Sequence, residues 1–220
     1  MSLPSHKTAL ISTCIEHQIL KFGSFTLKSG RTSPYFFNAG GFNTASLLST
    51  LSSAYASTIA QTPELSFDVV FGPAYKGIPL AATTAMALFA IDAAKFGGVG
   101  YAFNRKEAKD HGEGGTMVGA DLKGKRVLVV DDVITAGTAI REAVGMIEAA
   151  GGKVVGITIA LDRQERLKEE GGESAIMSVR RELGVPVVPI LTLEDLIKGV
   201  VGEQRGRMVA YRARFGAVAE

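Results

Sequence analysis

The sequence is short of several things. It has one cysteine, Cys14, and no tryptophan among 220 residues. A single thiol excludes an internal disulfide framework and any zinc cluster built on cysteines. Cys14 reads as a buried structural thiol and fits a reducing compartment. An excess of one charge is missing too: 24 Lys and Arg face 22 Asp and Glu, for a net charge of +2. That balance gives no argument for nucleic acid or an anionic membrane as a partner. Long apolar runs are also lacking. The most apolar segment, "IPLAATTAMALFAID", stops at Asp92, short of the ~18 residues that suggest a membrane span. It reads as a buried helix. Near the N-terminus, Glu16 and His17 interrupt any apolar core, so no signal peptide is expected. There are no repeats and no low-complexity tracts. Together these absences predict a cytoplasmic protein with no membrane and no nucleic-acid partner.

What is present is a globular composition. Hydrophobic residues make up 46% of the chain and charged residues 21%, enough for a sizeable core. The length fits one domain spanning residues 1–220. The patterning then alternates. Residues 7–22 read as a helix, with Ile11, Ile15, Ile19 and Phe22 along one face. Residues 25–42 read as a short aromatic hairpin. A helix over 44–60 carries the stripe Leu47, Leu48, Leu51, Tyr55 and Ile59. Strands follow at "FDVVFG", "VGYAFNR", "RVLVVDD", "VVGITIALD" and "VPVVPI". Helices are expected near Gly77, from about Gly137 to Ala150, at "SAIMSVRRELG", at "TLEDLIKGV" and over 203–215. Apolar strands alternating with helices predict an α/β fold with a mainly parallel central sheet flanked by helices.

In such a sheet, ligands bind beyond the carboxyl ends of the strands. Three strand ends carry chemistry. In "VLVVDDVITAGTAI", Asp131 and Asp132 leave a buried strand. Unpartnered burial of two carboxylates would cost several kcal/mol, roughly, so they belong at the rim. There they can accept from sugar hydroxyls or face a metal ion. The following "ITAGTA" offers two hydroxyls, Gly137 and backbone N–H groups entering a helix, a cradle for phosphate. One Asp and one Thr alone would read as a strand end and a helix cap. The whole string reads as a sugar-phosphate site. The second strand end, "GPAYKG", sets Tyr75 and Lys76 in a tight turn, where Lys76 can place charge on a diphosphate. The third, "NRKEAKDHGEGG", groups Arg105, Lys106, Lys109 and His111 ahead of Gly112, Gly114 and Gly115. A polar, glycine-ended segment between core strands is what a closing lid requires, here at about 104–117. Its cations could stabilise a departing anion. Two other phosphate motifs fail: "GADLKGKR" has Arg126 where Ser or Thr belongs, and "GVGYAF" has Phe103 for its third glycine.

"VLVVDDVITAGTAI" resembles the signature of the type I phosphoribosyltransferases, which bind 5-phospho-α-D-ribose 1-diphosphate. The resemblance implies that Asp131 and Asp132 hold the ribose hydroxyls. Val133, Ile134, Thr135, Ala136, Gly137, Thr138 and Ala139 would form the 5-phosphate loop, and Tyr75 and Lys76 the diphosphate loop. "FTLKSGRTSPYFFNAGGF" and "RKEAKDHGEGG" resemble the orotate phosphoribosyltransferases within that family, over about residues 10–200. That implies an N-terminal hood at about 1–43. Lys28 would reach the activated sugar, Phe36, Phe37 and Thr135 the orotate ring, and Arg163 of "ALDRQE" its carboxylate. Arg105, Lys106, Lys109 and His111 would act on the leaving diphosphate, with Lys109 foremost. The resemblance further implies Mg²⁺ carried mainly by the substrate near Asp131 and Asp132, and a homodimer whose lids are shared. A purine or other pyrimidine transferase is disfavoured by the "SPYFFNAG" hood. A nucleic-acid-binding regulator is disfavoured by the charge and the little spare chain.

Overall fold

The computed structural model describes residues 3–109, 115–167 and 172–217. At its centre lies the strand β6 (Arg126–Asp131), whose residues 127–130 are buried while both ends reach the surface. Each such apolar side chain contributes roughly 1.5–3 kcal/mol on burial. A six-stranded sheet forms around it in the order β5-β4-β3-β6-β7-β8. The other members are β3 (Val69–Gly72), β4 (Gly100–Lys109), β5 (Gly115–Gly119), β7 (Lys153–Asp162) and β8 (Val187–Thr192). All neighbours pair in parallel except β4 with β5. The expected α/β sheet is therefore present, with one antiparallel edge strand that the sequence did not announce.

Alternation along the strands feeds two cores. Val70, Leu128, Val130 and Leu161 face one side. Val69, Phe71, Val127, Val129, Ile157 and Ile159 face the other. The first side is covered by α1 (Ser5–Glu16), α2 (Ala45–Ala60), α3 (Gly77–Ile91), α7 (Leu193–Gly199) and α8 (Gly202–Phe215). The second is covered by α5 (Thr138–Ala149) and α6 (Ala175–Leu183). A single turn, α4 (Ala93–Phe96), follows α3. The thiol of Cys14 is buried, as expected. No helix of the described residues is long and apolar enough to cross a membrane.

Three expectations need correction. The first helix ends at Glu16, and Gln18 follows with φ +53°. Residues 20–26 become β1 (Leu20–Thr26), paired antiparallel with β2 (Thr32–Phe37). Ile15 is left exposed, and Phe22 belongs to the strand. Strand pairing has overridden an apolar spacing that suited a helix. Second, α3 is buried along one side only. Leu80, Ala81, Thr84 and Leu88 are covered, while Met86, Phe89 and Ile91 are 72%, 56% and 48% exposed. Third, the segment expected as a loop at 104–117 has strands for its described arms: β4 runs on to Lys109 and β5 begins at Gly115.

Candidate active site

From β3 the chain moves to β4 on one side, and from β6 to β7 and β8 on the other. The strand order therefore reverses between β3 and β6. An open α/β sheet leaves a crevice there, at the carboxyl ends of the strands. "GPAYKG" leaves β3 into that crevice, and "DDVITAGT" leaves β6.

The first turn is tight because two glycines touch. A Cβ on Gly72 would sit 2.1 Å from the Gly77 carbonyl oxygen. Asn104 of β4, itself buried, accepts the Ala74 N–H at 2.9 Å. Tyr75 is left exposed, with the Lys106 ammonium 4.9 Å above its ring. Lys76 reaches across the crevice, and its Nζ donates to Asp132 Oδ2 at 2.8 Å. The Asp132 carboxylate raises the Lys76 pKa by accepting that bond.

Asp131 and Asp132 occupy the rim, half-buried. The Tyr55 hydroxyl of α2 donates to the Asp131 carbonyl at 2.7 Å and braces the strand end from below. Asp131 Oδ1 accepts the Asp132 N–H at 2.9 Å, and Asp132 Oδ1 accepts the Val133 N–H at 2.7 Å. Burial, reinforced by the charge of Asp132, pushes the Asp131 carboxyl up to about 6. Two neighbouring carboxylates are thus held at a partly dry edge, one of them poorly solvated.

The loop then enters α5 through Gly137, at φ +78°. A side chain there would be strained by the left-handed backbone and would meet Arg141 and Val179 within 3 Å. Ile134 is buried and anchors the loop, while Thr135, Ala136, Thr138 and Ala139 face outward. α2, α6 and α7 begin on the side chains of Thr44, Ser174 and Thr192. No side chain caps α5. Its first N–H groups and its positive dipole end are turned to the crevice, as anion binding requires.

A cavity of about 520 Å³ opens beside this loop. Lys28, Phe36 and Phe37 of the hood line it, with Lys76, Asp132, Val133, Ile134, Thr135 and Arg163. β2 turns its two phenylalanines to opposite sides. Phe36 is 40% exposed and packs on Phe25 at 5.6 Å; Phe37 is 7% exposed and packs on Phe42. Arg163 follows the end of β7 and is largely buried. Its Nε and Nη2 lie 2.8 and 2.6 Å from Glu165 Oε1. Tyr75, Arg105, Lys106, Asp131 and residues 136–139 stand outside this lining. Arg105 and Lys106 lie on β4, the strand beside β3 and its "GPAYKG" turn. The Lys109 side chain and all of His111 lie outside the described residues.

Among the described residues no group of three or more His, Cys, Asp or Glu could hold a metal ion. The available donors are the adjacent carboxylates of Asp131 and Asp132. That set suits an ion such as Mg²⁺ that keeps most of its ligands on substrate oxygens and water.

A phosphoribosyl transferase domain matches residues 46–181 of the chain. An orotate phosphoribosyltransferase of Kluyveromyces lactis is 53% identical over 224 residues, 99% of each chain. That of Neurospora crassa is 51% identical over 229 residues, 98% of each. The chain belongs to the orotate phosphoribosyltransferase family. A crystal structure of the Francisella tularensis orotate phosphoribosyltransferase agrees, with a TM-score of 0.82 and 39% identity over 94% of this chain and 98% of that one. The family's reaction is a pentosyl transfer. Ribose 5-phosphate passes from 5-phospho-α-D-ribose 1-diphosphate to N1 of orotate, giving orotidine 5′-monophosphate and diphosphate for pyrimidine synthesis.

Several supports of this candidate site carry no motif of their own. Tyr55 lies in an ordinary helical stripe, and Asn104 opens the string assigned to the lid. Glu165 and Tyr211 lie against Arg163, and Arg31 lies beside Glu165, from three separate parts of the chain. Only Arg31 and Glu165 sit near residues already singled out. Nothing in the local sequence points to Tyr211.

Proposed function

We propose that the crevice between β3 and β6 binds the activated sugar and that the adjoining cavity binds orotate. One observation carries this reading: residues from the hood, both switch-point loops and the end of β7 line a single cavity. Asp131 and Asp132 accept the ribose hydroxyls. The uncapped start of α5, with residues 133–139, holds the 5-phosphate. Lys76 and Tyr75 meet the diphosphate, so Lys76 exchanges Asp132 for the ligand. Lys28 reaches the same sugar from the hood. Phe36 lies against the orotate ring, Phe37 backs it from the core side, and Thr135 contacts the ring from the loop. Arg163 faces the carboxylate with its planar fork.

Positioning and electrostatics supply the catalysis. The C1–diphosphate bond loosens toward an oxocarbenium-like state, orotate N1 attacks from the opposite face and gives up its proton to the departing diphosphate or to solvent, and the anomer inverts from α to β. Arg105, Lys106 and Lys109 balance the charge that grows on the leaving diphosphate. His111 donates a hydrogen bond or a proton to it. Mg²⁺ bound near Asp131 and Asp132 through substrate oxygens would neutralise part of that same charge.

The working form in this reading is a cytoplasmic homodimer, with residues 104–117 acting as a lid over the partner's site. The apolar, exposed side of α3 supports association, since solvent-facing patches of this kind mark interfaces. The test is optical consumption of orotate with the diphosphate sugar and Mg²⁺, set against uracil, hypoxanthine and adenine. Turnover with orotate alone is expected. No turnover with orotate would overturn the reading.

A further inference from the structure

We propose that Glu165 is a positioning residue for orotate, aiming Arg163 while the segment after α8 holds Glu165 in place. The proposal rests on the reading that Arg163 meets the orotate carboxylate.

An arginine at a cavity wall has many rotamers, and holding it in one is costly. Arg163 is held on three sides. Glu165 Oε1 takes both Nε, at 2.8 Å, and Nη2, at 2.6 Å. Nη2 also donates to Ser33 Oγ of the hood at 3.2 Å. The ring of Tyr35 lies 4.5 Å from the guanidinium carbon. Glu165 is itself clamped. Its backbone bridges to Gly216, beyond the end of α8. On either side of it, Ala217 N donates to the Gln164 carbonyl at 2.8 Å, and Arg166 N donates to the Phe215 carbonyl at 3.0 Å. The Arg31 guanidinium lies 3.9 Å from its other oxygen. Tyr211 of α8 meets the Tyr35 ring edge-on at 6.3 Å. The C-terminal helix therefore reaches the base site through two intermediaries, Glu165 and Tyr35.

The sign of the charge separates this role from a plain ion pair. Orotate is an anion, so a nearby carboxylate repels it. If Glu165 acted by charge alone, removing it would improve orotate binding. If it aims Arg163, removing it weakens binding despite the lost repulsion. Glu165→Ala is expected to raise the orotate KM about tenfold, the weight of one charge-assisted hydrogen bond, with the KM of the diphosphate sugar unchanged. Glu165→Gln keeps an acceptor at the same reach and should restore most of the loss. Glu165→Asp keeps the charge but retracts the oxygens by one methylene. It should raise the orotate KM even if the alanine variant fails to fold. An unchanged or lowered orotate KM in Glu165→Asp, or in folded Glu165→Ala, overturns the proposal. In an Arg163→Ala background the Glu165 substitutions should add nothing, and additive effects there also overturn it. Arg163→Ala alone separates the two levels. No rise in its orotate KM removes the assignment of Arg163 itself. A rise there without one in the Glu165 variants removes only the positioning role.

Discussion

Replacing Asp131 by asparagine should make the empty protein more stable at neutral pH while disabling it. The Asp131 carboxyl is raised from its ordinary value of 3.8 to about 6, first by burial and then by the charge of Asp132. A raised value means that the folded chain holds the proton more tightly than the unfolded chain. The stability that this provides is complete below pH ~4 and is lost as the pH climbs through about 6. Above that range the folded state carries an ionised, poorly solvated carboxylate at a cost of about 3 kcal/mol. An asparagine side chain in its place would not ionise, and its oxygen can still accept the Asp132 N–H now held at 2.9 Å. Urea unfolding at fixed protein concentration measures the difference. The two proteins should be about equally stable at pH 4. At pH 8 Asp131→Asn should be the more stable by about 3 kcal/mol. A stability difference that stays flat or shrinks as the pH rises would refute the reasoning. The same variant should lose affinity for the diphosphate sugar. A stabilised variant with full turnover would remove Asp131 from the ribose site.

Other perturbations reach the remaining parts. Gly137→Ala forces a side chain into a left-handed turn against Val179. It should cost about 1–2 kcal/mol and raise the KM of the diphosphate sugar, both read by melting and initial rates. Lys76→Ala breaks the contact with Asp132 and should raise that KM tenfold or more, roughly the loss of one charged hydrogen bond. Lys109→Ala should cut kcat by orders of magnitude with little change in KM, and full turnover would end the lid-electrostatics reading. Phe89→Glu, on the exposed side of α3, should shift the mass in light scattering toward a monomer. Mixing equal amounts of Lys28→Ala and Lys109→Ala chains should regain about a quarter of the wild-type activity if the lids are shared, one intact site in each mixed dimer, and none if they are not.

The half of the candidate site proposed for the sugar phosphate was legible as a cluster because its chemistry is contiguous. β6, two acids, a hydroxyl loop and a helix start follow one another without interruption, and each type is unusual beside the next. The parallel sheet was legible for a similar reason: buried strands read as apolar runs. The boundary between α1 and β1 was not. Ile11, Ile15, Ile19 and Phe22 suit a helix in isolation, and only pairing between Lys21 and Phe36 and their neighbours makes residues 20–26 a strand. β5 has five residues with a glycine at each end, so no periodicity could build up. The side of α3 left bare could not be read either, because apolar residues go all the way round it. The props of Arg163 come from residues 31–35, 165 and 211. Such long-range convergence leaves no mark in any one window.

Among the described residues, the two-stranded hood shares no backbone pairing with the main sheet. It is attached from outside instead, through Arg207 to the Gly23 carbonyl, Arg31 to the Arg166 carbonyl, and the meeting of Tyr35 with Tyr211. In the proposed reading, the hood's share of the base site, Phe36 and Phe37, is therefore carried on a ribbon of its own, while Arg163 and Thr135 come from the main sheet. Substitutions at Phe36 or in the turn between β1 and β2 can then reshape one wall of the cavity without re-registering a strand of the main sheet.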